Sequence, residues 1–483
     1  MNSRVQNNKE SQSTRCRIER DFLGEMPIPE EAYYGIQTMR AAENFQITGF
    51  PISSFPKLIR AIAAIKKAAA LTNQKLGLLP EGIAKSICQA CDEIMENRLF
   101  ENFIIDLVQG GGGISTNMNV NEVLATRALE LQRRCKGEYN WVNPNDHVNL
   151  SQSTNDVYPT SIKIALIYSI RDLINAMTKL IEALQSKEKE FEDVVKVGRT
   201  ELRDAVPITL GQEFGAYATT LSEDIERLDE VCSLLKEINL GGTAIGTGIN
   251  VDPRYSKLVC RELRKITGLN LILSPNLIEA TQDTGVFVLL SGVLKRTAVK
   301  LSKICNDLRL MSSGPRAGFN EINLPGVQAG STIMPGKVNP VIPEMVSEVC
   351  YQVIGNDLVV TLAAEAGQLE LNPYLPIISF NLSESTRMLR NAMMTLAHRC
   401  IIGITANREH CLSMVRNSLG IATALTPYIG YDKAAEIALE AFERGKSVYD
   451  LVMERGILSK KQLDKVLSPV YMTKPRCRET LLR

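Results

Sequence analysis

The stretch from Tyr158 to Asp193, YPTSIKIALIYSIRDLINAMTKLIEALQSKEKEFED, decides the fold. Ile162, Leu166, Ile170, Leu173, Met177, Leu180 and Leu184 succeed one another at steps of 4, 4, 3, 4, 3 and 4, the spacing of one helix face. A second set, Ile164, Ile167, Ile174 and Ile181, covers another face, so the helix is expected to be buried on more than one side. Tyr158-Pro159-Thr160 opens it, because proline suits the first helical turn. The pattern predicts a helix of about 34 residues, ~50 Å long at about 1.5 Å per residue.

Helical patterns run outward from it in both directions. Upstream they cover about 57–76, 80–98 and 119–136; downstream Pro207 to about Asn239, Pro275 to about Met311, 340–366 and 379–403. From about residue 408 they shorten to 409–419, 431–444, 446–455 and 460–467, and clear period-2 strands are absent. The expected fold class is mainly α, with an N-terminal domain over 1–153, a central bundle of long helices over 154–408 and a small C-terminal helical domain over 409–483. Helices apolar on two faces cannot bury themselves within one subunit, which predicts an oligomer. A polar tail to about residue 15 reads as disordered.

Composition narrows the function. With a formal net charge of +1, the chain has no global electrostatic footprint for nucleic acid or an anionic membrane. Residues 1–24 contain no apolar core of a secretory signal, and no uncharged apolar run reaches the ~18 residues of a membrane span. The eleven cysteines are an odd number, scattered singly except for Cys88-x-x-Cys91 inside a helical pattern, where they read as small apolar residues. These features point to the cytoplasm with reduced thiols. The three histidines, His147, His398 and His410, share no metal-ligand spacing, which excludes HExxH and Cys₂His₂ zinc sites and moves the expected proton chemistry away from imidazole.

Four loops collect small polar residues at helix junctions: Gln109 to Asn117 with four consecutive glycines, Asn143 to Asp156, Gly198 to Asp204, and Gly330 to Pro340. Singly, Ser, Thr, Asn or Asp before a helix is an N-cap. Together, three of the loops deliver hydroxyls or amides where free N–H groups and the helix dipole favour anions, and Lys337 adds a full charge. Gly336-Lys337 is not a nucleotide P-loop, since Ser331 and Val338 occupy positions that the motif reserves for Gly and a hydroxyl. The combination suits a dicarboxylate whose negative charge grows in the transition state.

The loop Gly330-Ser-Thr-Ile-Met-Pro-Gly-Lys-Val-Asn-Pro340 resembles the signature GSSxMPxKxNP of the fumarase/aspartase superfamily, with Thr332 for the second Ser. The NMNxNEV, NPNDHVNxSQSTND and GRTxLxDAVPxTLGQEF segments are similar too, so the resemblance runs from about Arg17 to Pro475. Ala363 to Asn372 and Gly403 to Asn407 resemble the aspartase branch more than class II fumarases, which typically place His where this chain has Glu201. The resemblance implies a three-domain helical subunit and a homotetramer with active sites shared between three subunits. It implies removal of ammonia from a dicarboxylate amino acid, L-aspartate, to give fumarate. It brings no redox or covalent cofactor and no dedicated metal cage, although some relatives respond to divalent cations. Fumarate hydration, or a scaffold that keeps the fold without catalysis, are the alternatives.

By the same resemblance Ser331 is the general base. Ser153, Thr154 and Thr332 bind the β-carboxylate, Lys337 and Asn339 the α-carboxylate, and Asn155 and Thr200 the amino group or α-carboxylate. Two positions depart from the family pattern. Ile114 stands where a Thr is usual and offers no hydrogen bond, so weaker binding or turnover is expected unless Ser115 or Thr116 substitutes. Glu201 either faces the substrate ammonium or turns to Arg199, Arg203 or solvent. His147 is expected to make a structural hydrogen bond. Lys295, Arg296, Lys300 and Lys303 form a basic stretch, read as a solvated or ion-paired face.

Overall fold

The apolar repeat after residue 160 forms a single helix, Thr154–Glu190, of 37 residues. It begins a full turn before the expected opening at Tyr158, because Ser153 rather than Pro159 sets the start. Ser153 Oγ accepts the Asn155 N–H at 3.2 Å, and the Asp156 carboxylate accepts the Ser153 N–H at 3.0 Å, a reciprocal cap. Pro159 then lies inside the helix, where it cannot donate to the Asn155 carbonyl. Asn239 Nδ2 takes that carbonyl at 3.1 Å, so the missing bond is replaced.

The computed structural model describes residues 15–475; the N-terminal tail expected to be disordered lies outside the described residues, apart from its last position. Pro56–Lys75, Glu81–Met95, Val341–Glu365 and Leu375–Arg399 follow the predicted helices closely. Other boundaries move. The helix expected at 119–136 is Ile114–Leu131, because Gly111, Gly112 and Gly113 take positive φ and turn the chain directly into it. The helix expected from Pro207 starts at Leu210, since Pro207 belongs to a strand. The single helix expected over Pro275–Met311 is two, Leu277–Gln282 and Gly285–Met311, and Tyr255–Thr267 is a helix that the periodicity did not mark.

Strands are also present, contrary to expectation. Cys16–Asp21 pairs with Gly24–Pro29 and Val195–Thr200 with Arg203–Thr209, both antiparallel. Two-residue pairs join Glu237–Ile238 to Ile272–Leu273 and Ile322–Asn323 to Thr405–Ala406. Burial alternates along Cys16–Asp21, Gly24–Pro29 and most of Arg203–Thr209, but the inward positions include Arg17, Glu19 and Pro207, so the sequence carries no period-2 apolar pattern.

The chain divides into two compact units. One comprises Met1–Arg171, Leu228–Gly292 and Gly355–Thr386; the other comprises Asp172–Arg227, Val293–Ile354 and Arg387–Arg483. The division passes through the long helices, whereas 1–153, 154–408 and 409–483 partition the chain by order. In the second unit the short C-terminal helices Arg408–Asn417, Tyr431–Arg444, Val448–Glu454 and Lys460–Val466 enclose a core of Val415, Leu425, Ile437, Leu451 and Leu463. Val195 and Val197 of the ribbon pack into the same core.

In the first unit Glu122 does the work of a helix cap. Gly35 precedes Ile36–Asn44 with no side chain to offer, and a Cβ there would lie 2.6 Å from Glu19. Glu122 accepts the N–H groups of Gly35, Gln37 and Thr38 and the Thr38 hydroxyl, at 2.6–3.0 Å. Its burial pushes the carboxyl up to about 7 against those hydrogen bonds. Glu122→Gln should lower stability by about 1–3 kcal/mol, because an amide nitrogen then faces buried donors; a thermal or urea transition matching the parent would remove Glu122 from this role.

Candidate functional site

The loop before Val341–Glu365 is tied shut at its base. Gly330 N–H donates to the Lys337 carbonyl at 2.8 Å and Asn339 Nδ2 to the Gly330 carbonyl at 2.9 Å. A Cβ at Gly330 would lie 2.8–2.9 Å from Asn339, so only glycine closes this base. Inside the closure, Ser331 Oγ accepts the backbone N–H groups of Ile333 at 3.2 Å and Met334 at 3.0 Å. Two amide dipoles therefore aim at one hydroxyl oxygen, an arrangement that stabilises negative charge on it. Thr332 and Lys337 are exposed, and one N–H of Asn339 is spent inside the loop.

Thr200 and Glu201 sit at the tip of the hairpin Val195–Thr200/Arg203–Thr209, both exposed. The two turn residues, Glu201 and Leu202, have φ of 53° and 61°. Two-residue hairpin turns with both φ positive favour Asn-Gly, and a non-glycine residue in the left-handed region costs roughly 1–2 kcal/mol. The turn is held open to this conformation from its flanks. Arg199 donates to Glu321 at 2.7 Å and lies 4.0 Å from the Phe319 ring centroid, and Ser418 Oγ donates to Asp204 at 2.9 Å. Arg199 is thus paired with Glu321 and not with Glu201, which makes no ion pair among the described residues. No hydrogen bond joins this tip to the 330–340 loop among the described residues.

The first unit brings Ser153, Thr154 and Asn155 together with residues that the sequence did not single out. Ser153 is occupied as the helix cap. Thr154 Oγ1 accepts from Asn117 Nδ2 at 3.1 Å, and Asn155 Nδ2 donates to the Ala244 carbonyl at 2.8 Å. Asp156 accepts the N–H groups of Gly241 and Thr243 at 3.0 and 3.1 Å beside that of Ser153. Burial pushes its carboxyl up to about 6, opposed by those three N–H groups and by Lys66. At the end of the glycine run, Gln109 Oε1 accepts the Thr116 N–H and hydroxyl, both at 3.0 Å. Thr116 is therefore spent. Ile114 is exposed and lies on the helix face of Asn117 and Asn121, three and seven residues on, whereas Ser115 is buried about 100° around the helix. The i, i+4 pair Asn117 and Asn121 within the NMNxNEV segment was the available signal for this cluster.

The remaining candidates resolve plainly. His147 Nδ1 accepts the Asn143 N–H at 2.8 Å, a structural bond; His410 bonds the Phe319 carbonyl, and His398 is exposed. Arg296 and Lys300 pair with Glu223 and Asp224, and Lys303 with Asp307, so the basic stretch is ion-paired. Burial pushes the Cys88 thiol up to about 11 and Cys91 higher still, which fits their reading as apolar residues. No three of His, Cys, Asp and Glu converge on a metal position among the described residues, and no described helix is long and apolar enough to cross a membrane. A cavity of about 630 Å³ lies among the C-terminal helices, lined by Val415, Ile421, Tyr449 and Leu467 and by none of the candidates named above.

A serine hydroxyl under two amide dipoles in one unit, and hydroxyls at the start of a long helix in the other, are groups suited to holding anions. The chain matches the family described as "Lyase" over residues 24–355 and that described as "Fumarase C C-terminus" over 421–474. It belongs to the fumarase/aspartase superfamily. It is 54% identical over 459 residues to the aspartate ammonia-lyase of Helicobacter pylori strain J99, covering 95% of this chain and 98% of that protein. With the Escherichia coli K12 aspartate ammonia-lyase it shares 50% over 464 residues, covering 96% and 97%. Among solved structures, the Brucella melitensis fumarate lyase:delta crystallin bound to cobalt superposes with a TM-score of 0.94 at 54% identity, covering 95% of this chain and all of that one. The class II fumarase of Schistosoma mansoni gives 0.91 at 34% identity, covering 96% and 100%.

The strained turn yields a check on its own. Leu202→Gly should stabilise the protein by about 1 kcal/mol, since glycine takes φ of 61° without the Cβ penalty and Leu202 is largely exposed. A urea midpoint that falls or stays put would show that Leu202 contributes packing that outweighs the strain.

Proposed function

We propose that this protein is an aspartate ammonia-lyase, converting L-aspartate to fumarate and ammonia. The observation that carries the chemistry is the pair of N–H groups on Ser331 Oγ. Identities of 54% and 50% to aspartate ammonia-lyases, against 34% to a class II fumarase, support ammonia over water as the leaving group. Ser331 Oγ, as the alkoxide, takes the proton from Cβ. The electron pair moves into the neighbouring carboxylate and makes an aci-carboxylate with two negative charges. That pair then forms the Cα–Cβ double bond as the Cα–N bond breaks and ammonia leaves.

On this reading Ser153, Thr154 and Thr332 receive the growing charge on the β-carboxylate, and Lys337 and Asn339 hold the α-carboxylate. Asn155 and Thr200 lie against the amino group or α-carboxylate, and Glu201, free of ion pairs among the described residues, faces the ammonium. A dianion flanked by helix N-termini and hydroxyls suits this order of roles. The elimination is redox-neutral and needs no redox or covalent cofactor; a divalent cation enters only as an activator. The protein acts as a homotetramer whose sites draw on three subunits. Support comes from Val341–Glu365, where Tyr351, Leu358 and Leu362 are each more than half exposed along one stripe. It works in the cytoplasm, consistent with ten free cysteines among the described residues.

Absorbance of fumarate, followed with L-aspartate and separately with L-malate, tests the reading. Product is expected from aspartate; product from malate alone would overturn it, and Ser331→Ala should abolish turnover while leaving the assembly intact. Ile114→Thr restores a hydroxyl on the Asn117 face and should raise kcat/KM for aspartate by roughly 10-fold, about the worth of one hydrogen bond to a charged group. An unchanged value would place residue 114 outside the substrate's reach.

A further inference from the structure

A buried charge lies behind the Ser153–Asn155 cluster, and the elimination as described leaves it without a role. Lys66, in the middle of Pro56–Lys75, is fully buried. Its Nζ donates to a single neutral atom, Asn149 Oδ1, at 2.7 Å, and it has no ion-pair partner among the described residues. Burying an ammonium with one neutral acceptor costs several kcal/mol, so packing does not explain a lysine where a methionine would fill the same space. Burial lowers its pKa to about 7, and Asp156, acting through space, opposes the shift.

The acceptor gives the lysine its direction. Asn149 Oδ1 also receives Asn117 Nδ2 and Asn121 Nδ2, each at 3.2 Å. Asn117 Nδ2 is shared with Thr154 Oγ1. Three donors converging on one oxygen fix the amide of Asn117 with its nitrogen towards Thr154. A hydroxyl that accepts there has its own hydrogen left to give elsewhere. Lys66 thus stands three hydrogen bonds, through two intervening side chains, behind a hydroxyl whose donor side is free.

We infer that Lys66 is a positioning residue for the elimination: through Asn149 and Asn117 it holds the Thr154 hydroxyl as a donor to the substrate's β-carboxylate and, when protonated, places a positive charge behind it. This role rests on the aspartate reading. The β-carboxylate carries one negative charge in bound aspartate and two in the aci-carboxylate, so a charge behind Thr154 favours the second state more than the first. Such an interaction acts on kcat more than on substrate binding.

Lys66→Met is the test, with Lys66→Gln carrying the same measurement should the methionine variant fail to fold. Thermal stability and oligomeric state are followed beside the kinetics. The expected result is a kcat lower by about 10–100-fold, the usual effect of an outer-shell partner, with KM for aspartate changed by less than about threefold. Affinity for 3-nitropropionate, whose nitronate mimics the aci-carboxylate, should fall far more than affinity for succinate, which mimics the ground state. A wild-type kcat in the variant, or equal losses for the two ligands, overturns the role of Lys66 alone. A parent protein that makes no fumarate from aspartate overturns the aspartate reading and this role with it.

Discussion

The carboxylate of Asp156 is the constraint on which the first unit's polar cluster depends. It collects three backbone N–H groups, from Ser153, Gly241 and Thr243, in a position without solvent exposure. One bond fixes where the long helix begins; the other two pin the 239–250 segment against that beginning. Asn155 is then gripped twice from the same segment, by the Ala244 carbonyl and by Asn239, the latter on the carbonyl that Pro159 leaves free. Desolvating a carboxylate is expensive, and its pKa rises to about 6 even with three donors. The return is positional: Ser153, Thr154 and Asn155 sit at a helix start that cannot slide.

The fold was legible wherever the helix periodicity alone decides, and illegible where a side chain overrules it. Seven apolar positions from Ile162 to Leu184 suffice to mark the central helix, yet its start depends on Ser153 and Asp156, which lie outside the apolar repeat. A proline reads as a first-turn residue because most interior positions would leave a carbonyl unpaired; Asn239, 80 residues further along, removes that objection here. The Val195–Thr209 hairpin hides for a different reason. Its turn is Glu-Leu in a conformation that normally asks for Asn-Gly, and its second strand contains Pro207. Local sequence and local structure disagree there, and Arg199–Glu321 and Ser418–Asp204 hold the disagreement in place.

The site was legible in part. The 330–340 loop announces itself by length and composition, but its working feature, two N–H groups on Ser331 Oγ, is a backbone geometry that no residue type encodes. The NMNxNEV segment was visible as a motif without a reason. Its polar side chains turn out to be brackets: Asn117 to Thr154, Asn119 to the Asn102 carbonyl, Asn121 to Asn149, Glu122 to the start of Ile36–Asn44. Lys66 was invisible because an Ile-Lys-Lys-Ala run on a helix looks like a solvated face, and only burial separates Lys66 from Lys67, which pairs with Asp92.

Magnitudes decide how far the serine can act unaided. A hydrogen bond to a charged group contributes about 1.5–3 kcal/mol, so two amides supply about 3–6 kcal/mol, or roughly two to four pKa units at about 1.4 kcal/mol each. An unperturbed aliphatic hydroxyl ionises far above neutrality, so the two amides alone still leave it well above pH 7. The helix N-terminus beyond Asn339 adds about 0.3–2 kcal/mol. On the proposed reading the remainder has to come from the cationic side of the site, Lys337 and the substrate's own ammonium, and from exclusion of water as substrate fills it. The ammonium and the exclusion of water come only with substrate, and water screens Lys337 in a solvent-open loop with Ile333 and Met334 exposed. On that reading the base is completed by its substrate, which keeps a reactive alkoxide from forming where there is nothing to deprotonate.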